Sequence, residues 1–179
     1  ADLGQAKTKL KFTQLFAKSP AINRLSAARL FLFAARDVWF VVGLPVFLKA
    51  QLGWSFDQVG GFMALWVIGY GIIQASAPAL IRKAGTAHAS RAALTWVFVL
   101  TLLAAAIATL IQFKIAVVTT IIVGLFLYGV VFAMNSALHS YLILAFTTDD
   151  DVASNVGFYY MANAAGRLLG TLASGLSYY

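Results

Sequence analysis

The stretch AALTWVFVLTLLAAAIATLIQ, residues 92–112, contains no charged side chain in its 21 residues. An α-helix rises about 1.5 Å per residue, so roughly 20 apolar residues cross the hydrocarbon core of a bilayer. The stretch therefore predicts a membrane-spanning helix. Similar apolar runs recur on both sides of it along most of the chain, and this repetition predicts a polytopic helical membrane protein.

The composition of the whole chain also indicates lipid as its solvent. Hydrophobic residues make up 61% and charged residues 11% of the 179 positions, whereas about 25% of residues are charged in a typical soluble domain. We therefore expect an all-α transmembrane bundle over residues 22–179. Its five transmembrane helices are predicted at approximately residues 22–48, 59–81, 92–112, 115–146 and 156–176.

Residues 1–21 form a basic segment in front of the predicted bundle. We interpret this segment as a cytoplasmic linker, and the alternative is an amphipathic helix lying on anionic lipid. The chain starts with Ala1 and shows no apolar signal-peptide core near its beginning. We therefore expect it to be an internal piece of a longer protein.

The basic residues are distributed unevenly between the two ends of the predicted helices. Lys49 and Lys114 are the two that lie in the loops of one side. The N-terminal segment and the loop between the second and third helices hold nine others: Lys7, Lys9, Lys11, Lys18, Arg24, Arg29, Arg82, Lys83 and Arg91. Because cytoplasmic loops carry an excess of Lys and Arg, we predict that the N-terminal segment is cytoplasmic.

Three charged residues lie deep within the predicted helices: Arg36 and Asp37 in the first, and Arg167 in the fifth. A charge at such a position costs several kcal/mol and normally faces a partner or a water-filled cavity. Adjacent helical residues point about 100° apart, so we expect Arg36 and Asp37 not to face each other. One possible pairing joins Asp37 to Arg167 and leaves Arg36 for an anion. The other makes Arg36 the structural partner, and Asp37 is a candidate for proton coupling or for an ion pair.

Uncharged polar residues supply further candidates. Asn135 and His139 share one face of the fourth helix because they are four residues apart, and Asn163 lies one turn before Arg167. We expect these side chains to line a polar path, and hydrogen bonding between helices is the alternative for His139. The fifth helix also carries a face of small residues, which favours close helix packing: Ala162, Gly166, Gly170 and Ser174.

The sequence lacks the signatures of enzymes and of cofactor or metal sites. It has no cysteine and two histidines, and it contains no P-loop, no paired-histidine metal spacing and no G-x-S-x-G elbow. We expect no enzymatic activity, no cofactor and no metal ion. Most basic residues lie at the ends of apolar runs, where Lys and Arg set the orientation of the helices in the membrane. We therefore do not interpret the positive net charge as a nucleic-acid-binding surface, and we expect no nucleic-acid partner.

The chain resembles the C-terminal half of a major facilitator superfamily permease. The similar stretches follow the basic linker and are SAARLFLFAARDVWFVVGLPVFL, GWSFDQVGGFMALWVIGYGIIQASAP, NSALHSYLILAF and NVGFYYMANAAGRLLGTLASGLSYY. Within that superfamily, it is most similar to the organoarsenical-efflux permeases (ArsJ type) of bacterial arsenic-resistance operons. The resemblance implies that the five helices correspond to the seventh through eleventh of a twelve-helix transporter.

The resemblance also implies a function and a set of partners. It implies a fragment of a secondary transporter in the bacterial inner membrane that exports a small organic anion, 1-arseno-3-phosphoglycerate, in arsenate resistance. The partners would be the lipid bilayer, this substrate and the missing N-terminal bundle. In the superfamily, the helices that correspond to the first, fourth and fifth of this chain line the central cavity. The resemblance therefore implies that the substrate-binding residues are Arg36, Arg167, Asn135, His139 and Asn163. A permease for a different solute, such as a sugar or a drug, and a non-transporting scaffold subunit are the alternatives.

Overall fold

The computed structural model describes residues 19–81, 85–148 and 152–177 of the chain. These residues form six α-helices and contain no β-strand. The helices are α1 (Pro20–Phe40), α2 (Gly43–Ala50), α3 (Phe56–Ile81), α4 (Gly85–Gln112), α5 (Val117–Ala145) and α6 (Val152–Leu176). The expected all-α fold is therefore confirmed for the described residues. Residues 1–18 of the predicted linker lie outside them.

Four helical segments are long and apolar enough to cross a bilayer: Pro20–Ala50, Phe56–Ala77, Thr86–Gln112 and Val117–Ala145. The chain is therefore a helical membrane protein. The fifth predicted span coincides with α6, a helix of 25 residues. This helix is not among the four apolar segments, because Arg167, Asn155 and Asn163 interrupt its apolar residues.

The first predicted helix is not continuous. Its N-terminal part is α1, which Ser19 caps by accepting a hydrogen bond from the Ile22 N–H at 3.3 Å. It ends at Phe40, and α2 begins at Gly43. A proline lacks an N–H, and its ring clashes with the carbonyl group four residues earlier. Pro45 places that clash at Val41, so the apolar segment Pro20–Ala50, which contains the span predicted over residues 22–48, is interrupted by a turn at residues 41 and 42.

Other helices begin before the apolar segments that predicted them. The polar residues from Thr86 to Arg91 belong to α4, which extends beyond the predicted start at residue 92. Ser55 and Gln58 form a capping box at the start of α3. In this box the Ser55 N–H donates to Gln58 Oε1 at 2.8 Å, and the Gln58 N–H donates to Ser55 Oγ at 3.2 Å. Apolarity predicts where lipid can surround a helix, but hydrogen bonding at the caps decides where the helix starts.

The chain divides into two compact units. Among the described residues, the first unit consists of 19–42, 143–148 and 152–177 and includes α1 and α6. The second consists of 43–81 and 85–142 and includes α2, α3, α4 and most of α5. In the first unit, Gly166 of α6 lies against Leu30 of α1. One turn further along both helices, Gly170 lies against Ala34. Because the contacting residue numbers rise together, α1 and α6 run parallel.

In the second unit, aromatic side chains join α3 to α5. The indole N–H of Trp66 donates a hydrogen bond to the Leu125 carbonyl oxygen at 2.7 Å. Its ring covers Gly129 and stacks on Tyr70, with the two ring centroids 5.8 Å apart. Tyr70 in turn contacts Phe132 of α5. These rings fill the space between α3 and α5. In the first unit, by contrast, the backbones of α1 and α6 contact each other directly.

Candidate functional site

Asp37 is the centre of a charged cluster within the first unit. Arg36 Nε donates to Asp37 Oδ1 at 2.6 Å, and Arg36 Nη2 lies 2.5 Å from the same oxygen. Arg167 Nε donates to the other carboxylate oxygen, Oδ2, at 3.3 Å. Asp37 is fully buried, and each of its oxygens has a cationic partner. The cluster therefore places two guanidinium groups on one carboxylate.

The small residues of α6 explain why Arg167 reaches Asp37. A Cβ atom on Gly170 would lie 2.6 Å from the Ala34 carbonyl oxygen and 2.9 Å from Asp37 Cβ, and one on Gly166 would overlap the Leu30 carbonyl group. Such distances are too short for any side chain, so glycine at both positions allows the two backbones to approach closely. The predicted face of small residues is buried as a whole: Ala162, Gly166, Gly170 and Ser174.

The break after α1 lies close to this cluster and has its own polar partner. The Val42 N–H lies in the turn between α1 and α2 and donates to Ser174 Oγ on α6 at 3.2 Å. Irregular backbone at membrane depth occurs where neighbouring helices or water satisfy its polar groups. Ser174 does this here, so the last residue of the small face on α6 has a polar as well as a packing role.

The geometry corrects two expectations about Arg36. The side chains of Arg36 and Asp37 meet although the residues are adjacent, because the long arginine side chain folds back to the neighbouring carboxylate. Arg36 is therefore not left over for an anion when Asp37 pairs with Arg167. Both pairings considered in the sequence analysis are present together.

The two arginines differ in their access to the surface. The side chain of Arg167 is 59% exposed, whereas that of Arg36 is 9% exposed. Arg167 also makes a single, longer hydrogen bond to Asp37, while Arg36 places two nitrogen atoms on one oxygen. Of the two cations, Arg167 is the one that an incoming anion can reach.

Arg29 is a buried charge that the sequence analysis placed among the flanking basic residues. It lies ten residues into α1 by number and is 3% exposed. Its guanidinium carbon lies 4.2 Å from the ring centroid of Phe33 and 5.1 Å from that of Tyr159. The signal in the sequence was the spacing of four between Arg29 and Phe33, which puts a cation and a ring on one helix face.

The remaining predicted residues lie in different places. Asn163 is half-buried on α6, and its Oδ1 atom is buried without a hydrogen-bond partner among the described residues. Asn135 and His139 belong to the second unit, where both are buried on α5. Neither side-chain polar atom of Asn135 has a partner among the described residues. The structure thus brings Arg36, Asp37 and Arg167 together, and Asn135 and His139 belong to the other unit.

The described residues contain no group of three or more His, Cys, Asp or Glu side chains arranged to hold a metal ion. The charged cluster has a different chemistry, because guanidinium groups bind carboxylate and phosphate oxygens through paired N–H donors. The arrangement of Arg167 suits the reversible binding of an anion.

Comparisons with models of protein families, with curated proteins and with solved structures give no significant match. The fold and the charged cluster are therefore the observations on which a function can be argued.

Proposed function

We propose that this chain is part of a secondary transporter that moves a small organic anion across the membrane, and that Arg167 binds the anion. One observation carries the proposal: in a helical membrane protein, two arginines share one buried aspartate, and the more exposed arginine is the more weakly held. The formal charges leave one positive unit on the cluster. Such a charge is costly in a membrane unless it faces water or an anion.

The binding step follows from the two pairings of Asp37. An anion that approaches Arg167 replaces Asp37 Oδ2 as the acceptor for its guanidinium group. Asp37 stays paired during this exchange, because Arg36 holds the other oxygen. One anionic group of a bound substrate offsets the single positive formal charge of the three groups, which lowers the cost of keeping them in a low-dielectric environment.

The resemblance to organoarsenical-efflux permeases supplies the proposed substrate, 1-arseno-3-phosphoglycerate. Its phosphate-like groups match the paired donors of a guanidinium group. We propose that the protein exports this anion across the bacterial inner membrane by alternating access against a second bundle of the same transporter. Asn163, one turn before Arg167 on the same helix, is the proposed further contact to the substrate.

The test is arsenate resistance in bacterial cells that depend on the complete transporter. We expect Arg167→Gln to abolish resistance, because it removes the cation that receives the anion and leaves the Arg36–Asp37 pair intact. The matched control is Arg91→Gln on α4, an exposed arginine, for which resistance stays unchanged. Immunoblotting of the membrane fraction must show equal amounts of the variants. Full resistance with Arg167→Gln would overturn the assignment.

A scaffold function is a second candidate, because both oxygens of Asp37 are occupied by arginines of the same chain. If pairing is the whole role of the cluster, Arg167→Gln is harmless, since one arginine and one aspartate still balance each other. If the cluster binds an anion, the same variant loses transport while the protein remains folded. The resistance assay separates these two outcomes, and a thermal unfolding measurement beside it shows that the variant is folded.

A permease for another solute is tested by direct uptake. Everted membrane vesicles containing the complete transporter are offered labelled 3-phosphoglycerate, inorganic phosphate, glucose and a cationic dye in separate experiments. The proposal predicts uptake of 3-phosphoglycerate, which is a stable anion related to the proposed substrate, and its loss with Arg167→Gln. Uptake of glucose or the dye without any uptake of the anions would favour a different permease.

A further inference from the structure

One buried face of α1 alternates arginine with phenylalanine. Arg29, Phe33, Arg36 and Phe40 follow each other at spacings of four, three and four residues, so they lie along one side of the helix. All four are buried. The guanidinium carbon of Arg36 lies 4.8 Å from the ring centroid of Phe33 and 5.9 Å from that of Phe40. We call these four residues the arginine–phenylalanine ladder.

Phe33 is the central member of the ladder because two cations share its ring. The guanidinium carbon of Arg29 is 4.2 Å from its centroid, and that of Arg36 is 4.8 Å away. The face of an aromatic ring carries negative electrostatic potential, and its attraction for a cation grows when water is excluded. The Phe33 ring therefore stabilises two like charges on the same helix, at a place where they are hidden from water.

The ring also restricts where the Arg36 side chain can go. Arg36 donates to Asp37, and its guanidinium carbon lies 4.8 Å from the centroid of the Phe33 ring. For Arg167, the described contact is one hydrogen bond of 3.3 Å to Asp37, and more than half of the side chain is exposed. The more tightly held arginine, Arg36, is thus the one that lies beside aromatic rings, and Phe33 is the nearer of its two rings.

We propose that Phe33 is a positioning residue for the anion site: its ring holds Arg36 on Asp37, so that Asp37 stays neutralised when Arg167 turns to an anion. This inference rests on the proposed function. When the ring attracts Arg36 less strongly, the Arg36–Asp37 pair loosens and Asp37 depends more on Arg167. Arg167 is then harder to release, and anion binding weakens although Phe33 does not touch the anion.

The test replaces Phe33 in the complete transporter with phenylalanine carrying one, two and three fluorine atoms. Fluorine withdraws electrons from the ring face and changes its size little, so the packing is kept while the cation–π attraction falls. The dissociation constant for 3-phosphoglycerate is measured by isothermal titration calorimetry in detergent. We expect a stepwise increase that reaches about tenfold over the series, in line with the strength of buried cation–π contacts.

The matched control is the same series at Phe31, which lies on α1 and is 70% exposed. We expect its dissociation constants to stay constant. In proteoliposomes, the Phe33 series should raise KM for 3-phosphoglycerate more than it changes kcat, because the substitution acts on binding. A further readout is the Nε–H NMR signal of Arg36, which should shift progressively with fluorination at Phe33 and stay fixed with fluorination at Phe31.

Two results would overturn the inference. One is a dissociation constant that does not change over the Phe33 series, and the other is an equal change over the Phe31 series. Arg167→Gln distinguishes these failures from failure of the proposed function. If Arg167→Gln abolishes binding of 3-phosphoglycerate while the Phe33 series is flat, the anion site stands and the role of Phe33 is wrong. If Arg167→Gln binds normally, the proposed function itself is wrong.

Discussion

The interface between α1 and α6 and the interface between α3 and α5 both depend on glycine, but in different ways. At α1–α6, an added Cβ on Gly166 or Gly170 meets backbone atoms of the opposite helix. At α3–α5, an added Cβ on Gly129 meets the indole ring of Trp66 at 3.1 to 3.3 Å. Backbone atoms of a helix move only with the whole helix, whereas a side chain has alternative rotamers.

This difference bears on where a charged cluster can be maintained. The close backbone contact at α1–α6 fixes the distance between Asp37 on one helix and Arg167 on the other. The α3–α5 interface contains rings and a hydrogen bond from Trp66, and those contacts can adjust when one residue changes. We therefore expect substitutions at α1–α6 to cost more than chemically similar substitutions at α3–α5.

The largest effect is expected from Asp37→Asn. This change leaves the buried guanidinium group of Arg36 and the exposed one of Arg167 without their carboxylate. Breaking a buried ion pair typically costs about 3–5 kcal/mol. The free energy of unfolding, measured by titration with SDS in mixed micelles, should fall by about that amount. The double variant Arg36→Gln/Asp37→Asn should recover part of the loss, because one of the unpaired charges is gone.

The control for this change is Asp57→Asn, since Asp57 is an exposed residue in the first turn of α3. Its interaction with the helix dipole contributes at most about 1 kcal/mol. A loss at Asp37 no larger than the loss at Asp57 would mean that the cluster does not hold α1 and α6 together.

Gly166→Ala should give the next largest effect, a destabilisation of about 1–3 kcal/mol, which is the usual range for overpacking. Gly157 lies on the same helix with nothing within 4 Å of an added Cβ. Gly157→Ala should therefore stabilise the protein by up to about 1 kcal/mol, because alanine favours a helix over glycine. In the same SDS titration, the change in the free energy of unfolding should have opposite signs for the two variants, which would identify the close contact at Gly166. Equal signs would contradict it.

The sequence predicted where the helices lie along the chain better than it predicted which helices pack against each other. Apolar runs located the helices because lipid exposure selects apolar residues, and the small face of α6 predicted a close contact without naming α1 as its partner. The turn after Phe40 was not predicted, although Pro45 is visible in the sequence and its ring clashes with the carbonyl group of Val41.

The sequence predicted which charged residues belong to the candidate site, but not how their side chains pair. Arg36, Asp37 and Arg167 were selected because charges in apolar helices need partners. Their arrangement was not predicted because the arginine side chain is long and flexible. Arg36 reaches the carboxylate of Asp37 although adjacent residues of a helix point in different directions. Arg29 was missed because a basic residue near the start of a span is normally a flanking charge. Burial by α6 is what distinguishes it.

A smaller loss is expected from Trp66→Phe at the α3–α5 interface. The variant keeps a ring over Gly129 and removes the hydrogen bond from the indole N–H to the Leu125 carbonyl oxygen. A hydrogen bond of this kind contributes about 1 kcal/mol net, so the free energy of unfolding should fall by about that amount. Trp96→Phe on α4, where the tryptophan is half-buried, should cost less. A loss of several kcal/mol at Trp66 would make this interface as rigid as α1–α6.

The smallest effect is expected from Gly124→Ala on α5, and it tests the distinction between backbone and side-chain obstacles most directly. The added methyl group would lie 2.8 Å from Cγ1 and 3.1 Å from Cδ1 of Ile107, which is nominally a clash like that at Gly170. Since these atoms belong to a side chain that can change rotamer, the loss should largely be offset by the gain of about 0.5–1 kcal/mol from alanine in a helix. In an Ile107→Ala background, the obstacle is removed and the same substitution should become stabilising. If Gly124→Ala instead costs as much as Gly166→Ala in the SDS titration, the identity of the obstructing atoms is irrelevant, and the distinction between backbone and side-chain obstacles is wrong.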